Sequence, residues 1–161
     1  MKFPLVMTLP YPISANAYWA TRIIPAGPGR KAMASIYATS EAKAFKEDIG
    51  WRVKAYGVTA PHKGRLCIGI RLFPARPQDW QKRMRADPLG WDNTVRCLDV
   101  DNARKVLYDA FKDVLYVDDK QIFRDAAERM EPDGREACVV VTVTEYQREA
   151  NPQLAFGELL A

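Results

Sequence analysis

Two aspartates stand two residues apart in Leu98-Asp99-Val100-Asp101-Asn102-Ala103-Arg104-Lys105. In an extended chain, residues i and i+2 project to the same side. Two carboxylates on one side make a hard-oxygen pair suited to Mg²⁺ or Mn²⁺. Lys105 follows Asp101 by four residues, which on a helix is the next turn of the same face. Its ammonium can meet a phosphate or offset developing negative charge. A second acidic pair, Asp118-Asp119, comes some fifteen residues later. These residues also have a plainer explanation. Asp101 or Asn102 can cap a helix, and Asp118 and Asp119 can be turn residues. Three features favour chemistry: the lysine at i+4, a basic stretch beside the motif, and no rival catalytic cluster.

The basic stretch covers residues 61–98. Lys63, Arg65, Arg71, Arg76, Lys82, Arg83, Arg85 and Arg96 stand there against Asp79, Asp87 and Asp92, whereas the whole 161-residue chain carries only +4. A local excess of this kind suggests a polyanion partner. The composition, 48% hydrophobic and 27% charged, is that of a globular domain and excludes wholesale disorder. No apolar run approaches the ~20 residues that span a bilayer, and the proline-interrupted N-terminus does not read as a signal peptide. A membrane partner is therefore not expected. Cys67, Cys97 and Cys138 form no CxxC pair, which fits a reducing cytoplasm. His62 is the single histidine. No ligand cluster accompanies it, so neither a histidine-dependent triad nor a structural zinc is expected.

The elements that must position these groups follow from hydrophobic periodicity. Phe3, Leu5, Met7 and Leu9 alternate as a strand. Residues 11–39 hold Pro12, Pro25, Gly27, Pro28 and Gly29 and are expected to be irregular. Residues 41–56 predict a helix with Ser40 as N-cap and Gly57 just past its end. Residues 65–73 alternate as a second strand, and 74–96 form a second irregular stretch. The stripe Ala103, Val106, Leu107, Ala110, Phe111, Val114 and Leu115 predicts one continuous helix. Residues 121–129 and 137–146 read as strands. Glu131-Pro132-Asp133-Gly134 is turn chemistry, so the two are expected to form a hairpin. The order β-α-β-α-β-β gives an α+β domain, 1–146, with two helices on one face of a small mixed sheet. A tail, 147–161, follows.

With these residues in place the sequence resembles the RusA-type Holliday junction resolvases. The resemblance lies in Asp99-Val100-Asp101-Asn102-Ala103-Arg104-Lys105, then Asp109-Ala110, then Tyr116-Val117-Asp118-Asp119. It also lies in the opening Leu9-Pro10-Tyr11-Pro12-Ile13-Ser14-Ala15-Asn16-Ala17-Tyr18, and covers roughly residues 5–146. It implies an intertwined homodimer and a Mg²⁺-dependent endonuclease that resolves four-way DNA junctions by paired symmetric nicks in recombination and repair. The family's catalytic carboxylates fall on Asp99, Asp101 and Asp119, which would hold the metal, and its catalytic lysine falls on Lys105. Asp118 matches an acidic position of secondary role. Arg76, Lys82, Arg83, Arg85, Arg96 and Arg104 are the expected DNA contacts, with Trp80 and Trp91 as candidates for stacking on unpaired bases. Tyr18 and Trp19 are weaker candidates for that surface. Residues 74–97 look longer than the family's usual basic loop. Leu98 stands where some members have a basic residue, and Arg96 is the candidate for that part.

A straight helix over residues 102–115 would span roughly 20 Å at ~1.5 Å per residue. Asp119 then rejoins Asp101 either by a return of the chain or from the antiparallel helix of a second subunit. Two other functions fit the same residues less well. One is a protein that binds DNA junctions, or processes flaps and other branched DNA, with altered or lost cleavage. The other is a cytoplasmic interaction module in which the acidic pairs are caps; it would bind no divalent metal and tolerate Asp99→Asn.

Overall fold

The computed structural model describes residues 1–148. The expected tail lies almost wholly outside them, with Leu154, Phe156, Leu159 and Leu160. Strand β1 (Leu5–Pro10) buries Leu5, Met7 and Leu9 and exposes Val6 and Thr8. A one-turn helix α1 (Ala15–Tyr18) and a hairpin of β2 (Trp19–Ile24) and β3 (Met33–Ala38) follow. These replace the irregular stretch expected over 11–39. Pro25, Gly27, Pro28 and Gly29 fall in the turn between β2 and β3, and Pro12 precedes α1. Ser14 starts α1 by accepting the Ala17 N–H, a local bond that no apolar period reveals.

Helix α2 (Ser40–Ala55) buries Ala42, Phe45, Ile49 and Val53. Its N-cap is Thr39, not Ser40: the Thr39 hydroxyl accepts from Ala42 N at 3.1 Å and donates to Ala17 O at 2.6 Å. Gly57 has φ +88°, as the residue closing a helix requires. Strand β4 (Leu66–Phe73) comes next, then α3 (Trp80–Ala86), a 3₁₀ turn (Trp91–Thr94) and α4 (Val100–Phe111). The helix stops four residues short of the expected stripe. Asp113 takes φ +66° and its N–H meets Tyr116 O at 2.8 Å. Aspartate is one of the few side chains that tolerates this left-handed conformation. Leu115 is still buried, because the chain turns back onto the core.

Strands β5 (Ile122–Arg129) and β6 (Cys138–Glu145) complete a sheet of order β1-β6-β4-β5. The expected β5–β6 hairpin does not form. Strand β4 lies between them, antiparallel to β6 and parallel to β5. The reason is legible in composition. Val139, Val140, Val141 and Val143 are buried on both faces of β6, which is what a central strand needs. Strand β5 carries Arg124, Asp125, Glu128 and Arg129, charges suited to an edge. The fold is thus mixed α+β as expected, with α2 and α4 over a mixed sheet. The added α1, α3 and β2–β3 hairpin depart from the simple β-α-β-α-β-β order. One core joins Met7, Leu9, Ile49, Val53, Leu66, Ile68, Ile70, Leu107, Phe111 and Val141.

The Thr39 cap gives a direct check. Thr39→Ala loses an N-cap worth about 1 kcal/mol and a second hydrogen bond. Urea unfolding is expected to show a loss of about 1–2 kcal/mol, against under about 0.5 kcal/mol for the exposed Ser40→Ala.

Candidate active site

The βαβ unit of β4, α4 and β5 positions the acidic motif. A helix joining two parallel strands runs back against them. The N-terminus of α4 therefore lies at the far end from the start of β5. Asp99 and Asp101 sit at that N-terminus, whereas Asp119 sits in the 3₁₀ turn (Asp119–Gln121) just before β5.

Asp99 occupies the N-cap position of α4, but its side chain accepts no backbone N–H. Among the described residues its carboxylate receives the Asn102 side-chain amide alone, at 3.3 Å. Neither Asp101 nor Asn102 is the cap. Asp101 instead pairs with Lys105, Oδ2 to Nζ 2.6 Å, both side chains well exposed. The adjacent ammonium holds the Asp101 carboxyl below the usual carboxylate range. Asp118 does behave as a turn residue. Its carboxylate accepts from Lys120 N at 3.0 Å, and the Gln121 side chain accepts from the Val117 and Asp118 N–H groups. Gln121 also donates to His62 O and Gly64 O. The acidic pair is thereby divided: Asp118 builds the turn and Asp119 is left exposed beside it.

Lys105, Tyr108, Asp109 and Lys112 repeat at three- and four-residue steps along α4 and form one wall of a cavity of about 610 Å³. Asp119, Trp19 and Ile36 line the rest. The return of the chain at Asp113 thus brings Asp119 back beside the C-terminal half of α4. It does not bring it to Asp99 and Asp101. From Asp101 to Lys112 the helix rises roughly 16 Å. Among the described residues, no group of three His, Cys, Asp or Glu side chains is placed to hold a metal ion. The donor types suit a hard cation, but one chain holds them as a pair and a single.

Asp109 had no role assigned in the sequence, although it lies in the motif. It accepts the Tyr18 hydroxyl at 2.5 Å and meets Lys46 of α2 at 3.5 Å. Burial and the carboxylate together push the Tyr18 hydroxyl pKa up, so it stays a donor. Its spacing from Lys105 is the signal that could have marked it. Tyr11 was also legible only as part of a motif. Its hydroxyl accepts from Leu98 N at 3.0 Å and contacts Cys97 Sγ at 3.0 Å. It fixes the two residues leading into Asp99. Burial first, then the Cys97 contact, pushes its pKa up to about 12. His62 does not line the cavity; its ring meets Phe3 edge-on.

The predicted DNA contacts separate into two sets. Lys82, Arg85 and Arg96 are exposed. Arg76 donates to Pro132 O through Nε and Nη2 and lies over Trp80. Arg83 pairs with Asp79 and donates to Thr94. Arg104 pairs with Asp125 of β5 at 2.8 Å. Trp91 is 4% exposed and donates to Glu131. It packs the segment against the body and offers no face to a base. Trp80 is half-buried beneath Arg76.

The sequence profile of the family "Endodeoxyribonuclease RusA" matches residues 10–144. The chain belongs to this family of structure-specific endodeoxyribonucleases. No curated protein matches it. The matched region contains the whole of the helix that carries Asp101 and Lys105, the turn that carries Asp119, strands β4 and β5, and β6 except its last residue; of β1 it includes Pro10 alone.

The Asp101–Lys105 pair can be tested by titration. In Lys105→Met the Asp101 carboxyl loses the neighbour that stabilises its charged form, so its pKa is expected to rise toward the ordinary carboxylate range. The side-chain carbon shift of Asp101, followed by NMR from pH 2 to 6 (about the carboxylate range), reads this directly. An unchanged midpoint would show that the pair does not form in solution.

Proposed function

We propose that the protein is a Mg²⁺-dependent endonuclease that resolves four-way DNA junctions by paired symmetric nicks in recombination and repair. Mn²⁺ is an alternative cation with similar ligands. The observation that carries this is the exposed Asp101–Lys105 pair next to Asp99, beside a cavity edged by Asp119, in a chain of this family. Asp99, Asp101 and Asp119 would hold the cation. When bound, it supplies Lewis-acid activation of the attacking water and charge stabilisation at the leaving oxygen. Lys105 brings a fixed positive charge to the scissile phosphate, where negative charge accumulates in the transition state. Asp101 orients that ammonium. The exposed Lys82, Arg85 and Arg96 supply phosphate contacts. Arg76 and Arg83 act through the segment they brace, and Arg104 through its hold on β5. No helix among the described residues is long and apolar enough to cross a membrane; cytoplasmic residence, where such DNA lies, completes the reading.

The active unit we propose is a homodimer. Two features support this. First, one chain holds Asp99 and Asp101 at one end of α4 and Asp119 at the other. Two copies with antiparallel α4 helices would bring each Asp119 to the partner's pair. Second, the β2–β3 hairpin leaves Ile23 (75% exposed), Ile24, Met33, Ile36 (72% exposed) and Tyr37 in solvent. A lone two-stranded hairpin is marginal in water, and exposed apolar area of this kind marks an interaction surface. Ile36 also lines the cavity, so a copy covering the hairpin would stand beside the site. A two-fold dimer with two centres matches the symmetry of a junction cut twice.

Cleavage of a labelled four-way junction with Mg²⁺, beside linear duplex, tests the activity. Paired nicks on the junction alone are expected, with a loss of about 100-fold or more in Asp101→Asn. Tight binding without cutting by the unmodified protein would favour a binding-only role. Mixing Asp101→Asn with Asp119→Asn subunits tests the shared site. Activity recovered in the heterodimer is expected, because one centre is then intact; no recovery would place each site within one subunit. Over a salt series, Lys82→Ala/Arg85→Ala is expected to lower the slope of log affinity against log salt by about 2, at ~0.9 per phosphate contact.

A further inference from the structure

Helix α2 carries a basic surface that belongs to neither the acidic motif nor the 61–98 stretch. Lys43, Lys46, Glu47, Trp51 and Lys54 fall at three- and four-residue steps and form one stripe along the helix. With Gly50 of the same stripe and Val114, from the turn after α4, they line a groove of about 390 Å³. Three lysines and one glutamate line it, and Lys46 also meets Asp109 at 3.5 Å. Trp51 is 66% exposed, and the Lys54 ammonium lies 5.1 Å from its ring centre. The fold does not need this indole: the core face of α2 is Ala42, Phe45, Ile49 and Val53. A large aromatic held in solvent among lysines fits a contact surface with a polyanion better than a packing role.

The groove neighbours the cavity without sharing a lining residue with it. Lys46 reaches Asp109, which lines that cavity, and Val114 follows Lys112, another of its lining residues, by two positions. From Lys43 to Lys54 the stripe extends roughly 16 Å at ~1.5 Å per residue. At ~3.4 Å of duplex axis per phosphate of one strand, a stripe of that length laid along the axis passes about five phosphates.

We propose that the α2 groove binds the phosphate backbone of one duplex arm of the branched DNA, outside the cleavage centre. This rests on the nuclease reading above. Glu47 occupies the middle of the stripe, so Lys43 and Lys54 at its ends make the phosphate contacts. Lys46 marks the edge where the arm passes toward the cavity. Trp51 lays its ring against the sugars and turns its indole N–H to a phosphate oxygen. Such contacts position the arm without reading sequence.

The test is junction binding over a salt series by the full chain carrying Asp101→Asn, which keeps the substrate intact. Adding Lys43→Ala/Lys54→Ala is expected to lower the log–log salt slope by about 2 and the affinity by roughly tenfold or more. Lys43→Arg/Lys54→Arg is expected to restore both. Trp51→Ala is expected to weaken binding severalfold while leaving the slope in place. Thermal melting and sedimentation of each variant separate these effects from misfolding and from altered assembly. Equal affinity and slope in the double variant would overturn the proposal alone, provided the parent binds. A change in oligomeric state with unaltered affinity per assembled particle would also overturn it and assign the groove to a protein contact. A parent chain that fails to bind the junction would overturn the nuclease reading and this proposal together.

Discussion

Helix α4 can face the core in one way only. Ala103, Val106, Leu107, Ala110 and Phe111 are all fully buried against α2 and the sheet. Each large side chain among them contributes about 1.5–3 kcal/mol by leaving water. Turning the helix by one residue would expose several at once. That packing forces Asp101, Lys105, Tyr108, Asp109 and Lys112 outward as one polar face. It also sets the direction of α4 between two parallel strands. The separation of the carboxylates therefore follows from the core rather than from any polar contact.

Tyrosines carry the polar face into register with the core. Tyr18 holds Asp109, Tyr108 donates to Asp125 at 2.9 Å, and Tyr116 donates to Tyr108 O at 2.8 Å. Burial raises the pKa of all three hydroxyls. They remain protonated donors well above neutral pH, so these anchors do not loosen in the range where phosphodiester chemistry runs. Tyr11 plays the complementary part ahead of Asp99, where it accepts the Leu98 N–H. Each phenol bridges an apolar interior to a polar edge.

Charge in the segment before the motif does two jobs. Arg76 ties it to Pro132 O, Arg83 ties α3 to Thr94, and Arg129 of β5 donates to Val95 O at 2.8 Å and to Asp92 O. Guanidinium groups suit this bracing because their donors fork to two acceptors at once. Lys82, Arg85 and Arg96 point to solvent from the scaffold so made. A basic count alone conflates the two uses. The exposed β2–β3 hairpin and the α2 stripe add two more surfaces that a single chain leaves uncovered, one apolar and one cationic.

The parts legible from residue order are those whose signals are local. Alternating Leu66, Ile68, Ile70 and Leu72 marked β4, and the stripe through Phe111 marked α4. Asp101 and Lys105 were on one face because helical spacing demands it. The one-residue error at the N-cap of α2 reflects two adjacent hydroxyl residues with the same propensity. The rest was set by long-range competition between segments. Strand β6 took β4 as its neighbour, and not β5, because its valines need cover on both faces while β5 bears charges suited to an edge. Asp113 ended α4 where the apolar period ran on, because Leu115 could reach the core by a turn as well as by a helix. Asp118 and Asp119 are neighbours in sequence with opposite fates, one closing a turn and one facing the cavity. Trp91 and Arg83 read as DNA contacts by type, yet they brace the fold. Residue type fixes which bonds a side chain can make; only packing decides whether another part of the same chain has already made them.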